Sequence, residues 1–128
     1  MKNYTIHNFA ISDKIKKRFL DVSDTHSGKG ELTNRETPNE IQCINRAYIN
    51  EIEDNNLIFA KINVEGSEIH VLNELFGSKL GPRIKFIFTE IAQRYKKDHI
   101  IISLLLKNGF IEKQRHRGIK SYDALYIR

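Results

Sequence analysis

Residues Leu57–Phe76, LIFAKINVEGSEIHVLNELF, constrain the fold more than any other stretch of the chain. Leu57–Val64 is rich in β-branched and aromatic residues and has the length of a buried strand. Glu65–Gly66 supplies a tight turn. From Ser67 onward, Ile69, Leu72, Leu75 and Phe76 fall on one helical face. Ser67 is placed to cap that helix, Glu68 suits the positive end of its dipole, and Gly77 stops it. A strand that turns directly into a helix belongs to an open α/β sheet, where ligands bind at the carboxyl ends of the strands. Acidic side chains gather at this strand end. No glycine-rich phosphate or nucleotide turn precedes it in the sequence.

The rest of the chain is read around this unit. Tyr4–Ile11 alternates apolar and polar residues, as a strand does, and Lys17–Val22 reads as a second short strand. Ser23–Glu40 is polar, contains Gly28, Gly30 and Pro38, and reads as a loop. Glu40–Ala47 reads as a strand, followed by a helical turn through Tyr48–Glu53. Beyond the central unit, Arg83–Ile91 is a strong strand, with IKFIFTEI at its heart. Asp98 is placed to cap a helix over His99–Lys107, which Asn108–Gly109 ends. Phe110–Arg115 and Asp123–Arg128 close the chain as an antiparallel hairpin. Strand and helix alternating in this way imply a mostly parallel sheet with crossover helices.

Composition narrows the function classes. The chain has 128 residues, enough for one domain with a core of its own. Its longest apolar run, Ile100–Leu106, falls far short of the roughly 20 residues that span a bilayer. The start, MKNYTIHNF, lacks the apolar core of a secretory signal. Cys43 is the single cysteine, which excludes an internal disulfide and a cysteine zinc cluster. A cytoplasmic setting and no membrane partner follow as expectations. The net charge of +5 raises nucleic-acid binding. However, the basic clusters Lys14–Arg18, Arg94–Lys97 and Arg115–Lys120 lack the interleaved aromatics of a single-strand binder. A solvated basic surface is the preferred reading.

Several segments together resemble a known family. Lys61-Ile62-Asn63-Val64-Glu65-Gly66-Ser67-Glu68 resembles the K-(I/L)-D-(V/I)-E-G-x-E signature of FkbM-type methyltransferases, which use S-adenosylmethionine. His7–Asp13 resembles the family strand that ends in A-(L/I)-S-D. Ile49-Asn50-Glu51 is similar to the L-D-(D/E) triplet before the signature strand. Phe86–Glu90 is similar to the next strand, which ends in a glutamate, and Leu105–Phe110 to the late helix with its N-G-(F/Y) turn. Asn63 and Asn50 stand where the family has aspartates. Each keeps the shape and an acceptor oxygen but loses the charge a base or a hard-cation ligand would need.

The resemblance implies a partial Rossmann-like methyltransferase fold, in one domain of N-terminal strands and loop (1–56) and α/β core (57–128). The family's strands run third, second, first, fourth, fifth, seventh, sixth, and this chain corresponds to the third strand onward. Lacking the first two, it would leave Leu57–Val64 as an apolar sheet edge. Three outcomes are open: Tyr4–Ile11 moves in beside that edge, a partner chain or second copy covers it, or the protein is a fragment.

The candidate site follows from the strand ends. Glu65 and Glu90 are the candidate catalytic carboxylates, either one a base for an acceptor hydroxyl. Lys61, Asn63 and Glu68 are the candidate substrate-binding residues, and Lys61 inside a strand needs either water or an ion pair with Glu90. The resemblance also places Ala10 and Ile11 beside the adenine of S-adenosylmethionine. No metal is called for. The function implied is O-methylation of a small-molecule or sugar hydroxyl by the chain or by an enzyme of which it is part. The alternative is a non-catalytic remnant or binding and assembly module of the same descent. His70 and His116 read as surface residues.

Overall fold

Strands from before residue 45 and strands from after residue 57 build two separate four-stranded sheets. The computed structural model describes residues 6–14, 16–22, 30–53, 55–93, 96–118 and 121–128. The first sheet contains β1 (Ala10–Ile11), β2 (Lys16–Val22), β3 (Gly30–Thr33) and β4 (Glu40–Ile44), in the order β1-β4-β2-β3. Helix α1 (Arg46–Ile49) follows, capped by Asn45, whose side chain accepts the Ala47 N–H at 3.1 Å. The second sheet contains β5 (Ile58–Ile62), β6 (Ile84–Ala92), β7 (Ile111–Arg117) and β8 (Ser121–Ile127), in the order β5-β6-β8-β7. Helix α2 (Glu68–Phe76) connects β5 to β6, and α3 (Asp98–Lys107) connects β6 to β7.

The α/β character expected from the sequence is present, but neither sheet is mostly parallel. Each has one parallel pair, β1 with β4 and β5 with β6, and two antiparallel pairs. The cause in the second sheet is the closing hairpin. The crossovers through α2 and α3 leave β5, β6 and β7 running the same way. β8 then folds back into the slot between β6 and β7, antiparallel to both.

Other expectations are corrected locally. Tyr4–Ile11 contributes only Ala10–Ile11 as strand among the described residues, and it pairs with β4 rather than β5. The polar stretch expected to be loop contains β3, because Leu32 lies opposite Leu20 in a hairpin register. The strand at Glu40 stops at Ile44, since Asn45 starts a helix there instead of near Tyr48. Asp98 is the first residue of α3 and not its cap. Lys97 holds the cap position without a side-chain bond.

One face of the second sheet is the core. Ile62, Ile87, Ile91, Tyr122, Ala124 and Tyr126 meet Val71 and Leu72 of α2 and Ile101 and Leu105 of α3. The alternation of β6 buries Ile87, Thr89 and Ile91 and leaves Phe86 exposed. Phe110 stacks on Phe76 at 5.5 Å between ring centres and closes the helix layer. A smaller cluster of Ile44, Ile49 and Leu80 reaches Ile11, Ile58 and Leu75, tying the first sheet to β5 and α2.

No described helix covers the other face. Register there places Phe59, Phe86, Ile127 and Ile111 in one row across all four strands, with Phe59 and Phe86 rings 6.3 Å apart. Four residues further along β6, Glu90 lies opposite Asp123, and His116 lies opposite Asp123 on the other side.

Candidate functional site

The end of β5 opens onto a cavity. After Ile62 the chain passes through Asn63 and Val64, turns at Glu65 and Gly66, and enters α2. Both turn residues have positive φ, 49° at Glu65 and 100° at Gly66. Glycine takes that conformation freely and glutamate does not.

Ser67 occupies the cap position of α2 but makes no capping bond. Glu68 does that work. Its carboxylate, on a residue only 3% exposed, accepts the Gly66 N–H at 3.2 Å and the Val64 N–H at 3.3 Å. The acid turns back onto its own turn and leaves the cleft.

The cavity has a volume of about 380 Å³ and lies between the two sheets, along β5 and under α2. Phe9, Ala10 and Ile11 form one wall, with Leu20 and Leu32 beside them. Lys61 and Asn63 from the end of β5, and Ser67, Val71 and Leu75 from α2, form the other. Such a volume lies within the range of small-molecule sites, roughly 300–1,000 Å³.

The structure thus brings together four of the residues singled out in the sequence, Ala10, Ile11, Lys61 and Asn63. Glu65, Glu68 and Glu90 stand outside the lining. Glu65 is half-buried in the turn between the lining residues Val64 and Ser67. Glu90 is half-buried too, one position past Thr89, the partner of Ile62. The expected Lys61–Glu90 ion pair is not among the salt bridges of the described residues. Lys61 has Phe88 as its register partner, whereas Glu90 lies opposite Asp123. Lys61 is exposed, and water solvates its ammonium instead.

Sequence reasoning missed nine of the thirteen lining residues. Ser67, Val71 and Leu75 are spaced four apart on one helix face, a signal that could have found them. Leu20 and Leu32 reach the cavity only because the β2–β3 hairpin brings them there, and no local pattern announces that. Asn50, at the position of the family's acidic triplet, is committed to structure. Its Oδ1 accepts the Lys79 N–H at 2.8 Å.

A second polar cluster lies on β7 and β8. Arg115 grips Glu112 with two bonds of 2.9 and 2.8 Å, and the Tyr126 hydroxyl donates to the same carboxylate at 3.1 Å. Arg115 also stacks over the Tyr122 ring, 4.0 Å from its centre. The Arg115 bond, aided by that of Tyr126, holds the Glu112 carboxyl below its ordinary range. Burial, reinforced by Glu112, pushes the Tyr126 phenol well up. The cluster satisfies a buried phenol at a sheet margin, as buried tyrosines require.

Among the described residues, no three of His, Cys, Asp and Glu gather closely enough to hold a metal ion. No described helix is long and apolar enough to cross a membrane. No protein-family model, curated protein sequence or solved structure matches this chain.

Proposed function

We propose that the cavity beside β5 is the acceptor side of a methyl-transfer cleft of the FkbM type and binds a hydroxyl-bearing small molecule. The observation that carries this reading is the order β5-β6-β8-β7, with a cavity at the carboxyl end of β5. That order corresponds to fourth, fifth, seventh, sixth in the family the sequence resembles. Lys61 and Asn63 of the signature segment line the cavity.

The cavity does not suit S-adenosylmethionine itself. That donor carries a sulfonium cation and a ribose diol, which a carboxylate commonly holds. The lining contains no acidic residue and no glycine, and its one charged residue is Lys61. No transfer step is assigned to this chain. This observation favours the second reading, a binding module of methyltransferase descent. In that reading the donor is held by residues outside the cavity, including those of a partner chain.

Calorimetric titration with S-adenosylmethionine, paired with amide chemical-shift mapping using methyl glycosides and short-chain alcohols, tests both points. The expected result is no heat with the donor at about 1 mM, a range that would register even weak binding. The alcohols or glycosides should shift the amides of residues 60–64 and 67–75. Shifts confined to other surfaces would overturn the acceptor-site reading. Donor binding by this chain alone would overturn the binding-module reading and restore a complete enzyme.

A further inference from the structure

We propose that the cavity between the two sheets is a slot for an added β-strand. Its occupant is an extended, mostly apolar segment of a partner chain, with an acidic residue opposite Lys61. The inference rests on the second reading above, a binding module completed by a partner chain, and adds how that partner is held.

The lining shows which part of each strand borders the cavity. Successive side chains of a strand leave on opposite faces. Ala60, Lys61, Ile62, Asn63 and Val64 nevertheless line the cavity without a gap, and so do Phe9, Ala10 and Ile11. A run of that kind borders one cavity along the edge of its strand, through the backbone. Both edges lack a strand partner among the described residues. β5 ends the order β5-β6-β8-β7, and β1 ends the order β1-β4-β2-β3.

A strand paired on one side turns alternate N–H and C=O groups outward on the other. Among the described residues, no hydrogen bond outside the β5–β6 ladder reaches the backbone from Ile58 to Asn63. An extended backbone matches such a row group for group, as in strand addition to a sheet edge. A small molecule meets only one or two of its members.

Side chains on the two faces of β5 set the sequence of the occupant. On the helix side, Ile58, Ala60 and Ile62 pack in the core with Val71 and Leu75, and the last two also line the slot. Alternate residues of an added strand enter there and are apolar, preferably β-branched. The other face of β5 carries Phe59 and Lys61, both exposed. Antiparallel addition is the more stable arrangement, and it brings directly opposed side chains into contact. An aromatic residue therefore suits the place opposite Phe59. An acid suits the place opposite Lys61, which has no ion pair among the described residues. A lysine on an edge discourages indiscriminate pairing and admits the segment whose acid meets it.

The test uses the whole chain with the peptide acetyl-Thr-Val-Glu-Val-Phe-Val-Thr-amide. Two analogues are N-methylated at alternate residues, and a third has Lys in place of Glu. Titration calorimetry gives the affinities, and amide hydrogen exchange locates the peptide. Binding should slow exchange of the outward amides of residues 58–63. The analogue methylated on the side facing β5 should bind at least about tenfold more weakly, since several backbone bonds are lost. The Lys analogue should bind about two- to fivefold more weakly, the scale of one cross-strand charge pair. Lys61→Glu should reverse that preference, and Lys61 is exposed, so the substitution leaves the core intact.

No binding of the parent peptide at about 1 mM would overturn the proposal, as would equal binding of both methylated analogues and the parent. Slow exchange of the outward β5 amides without peptide would also overturn it, by showing the edge already covered by the chain or a second copy. An unreversed preference in Lys61→Glu would overturn the acid opposite it. If the peptides fail while alcohols or glycosides shift the lining amides, the slot is wrong and the small-molecule cavity stands. Donor binding by the chain alone overturns the module reading whatever the peptides do.

Discussion

The Glu68 carboxylate and the Gly66 amide are joined at 3.2 Å, an acid of the helix start holding the turn that leads into it. The bond explains how a glutamate can be only 3% exposed without a cationic partner among the described residues. Two backbone N–H groups, those of Val64 and Gly66, stand in for the cation. Glu68→Ala leaves both donors unmet and should cost about 2–3 kcal/mol, the scale of hydrogen bonds to a charged group. Glu68→Gln keeps one acceptor oxygen and should cost about 1 kcal/mol. Urea denaturation of the two variants checks the difference, and equal losses would show that the bonds contribute nothing.

Glu65 and Gly66 give a second, opposed pair of expectations. Gly66 has φ of 100°, so Gly66→Ala forces a Cβ into a conformation it resists. A loss of about 1–2 kcal/mol is expected. Glu65 has φ of 49°, and Glu65→Gly relieves strain there at the expense of chain entropy. Its stability should fall by less than that of Gly66→Ala, since relief of the strain offsets part of the entropy cost and of the side-chain interaction that is lost. Thermal melts of both variants decide this. A Glu65→Gly variant as unstable as Gly66→Ala would show that the glutamate side chain supports the turn.

The Glu112 cluster predicts a pH dependence. Its carboxyl is held below the ordinary value of 4.5, chiefly by Arg115 and then by Tyr126. In the interval between the two values the unfolded chain binds more protons than the folded one, so stability rises with pH there. The contribution is complete above the ordinary value and is lost as the pH falls through the depressed one. Tyr126 acts at the other limb. Its phenol is pushed up by burial, so its contribution is complete below pH 10.0 and declines as the medium becomes more alkaline. Glu112→Gln should flatten the acid limb of the stability curve, and Tyr126→Phe the alkaline one. Urea midpoints at stepped pH measure both. Unaltered limbs would remove the cluster as their cause.

Arg128 bridges three elements. Its guanidinium donates to the carbonyls of Gly81 at 2.6 Å, Ile84 at 2.8 Å and Asn108 at 3.2 Å, and lies 4.7 Å from the centre of the Phe110 ring. Arg128→Ala should cost about 2–3 kcal/mol through three bonds and a cation–ring contact. Arg128→Lys should recover little, because a point charge cannot reproduce the planar fork. Denaturation midpoints check the order; a lysine variant as stable as wild type would contradict it.

The reach of the sequence is clear from particular elements. The strand of Leu57, the helix after Ser67, the strand of Ile84 and the closing hairpin were readable because each repeats at its own period. The insertion of β8 between β6 and β7 was implied by the resemblance alone and by no local period, since strand order is settled by long-range packing of Tyr122, Ala124 and Tyr126. At the site, Lys61 and Asn63 were visible through the signature segment, and Ala10 and Ile11 through the resemblance. Leu20 and Leu32 were hidden, since a polar stretch with one central leucine reads as loop until β2 is placed beside it. Glu68 looked like a ligand group for the same reason that it caps: both roles need an acid beside a glycine turn.

The uncovered side of the second sheet gives its strands two unequal sides. A map of every single substitution along β6 would come out as a comb. Ile87, Thr89 and Ile91 would be intolerant teeth, while Phe86, Phe88 and Glu90 would be permissive gaps. Only where a ligand or a neighbour touches that side would a gap close, so such a map would outline whatever the protein meets there without anyone first knowing its identity.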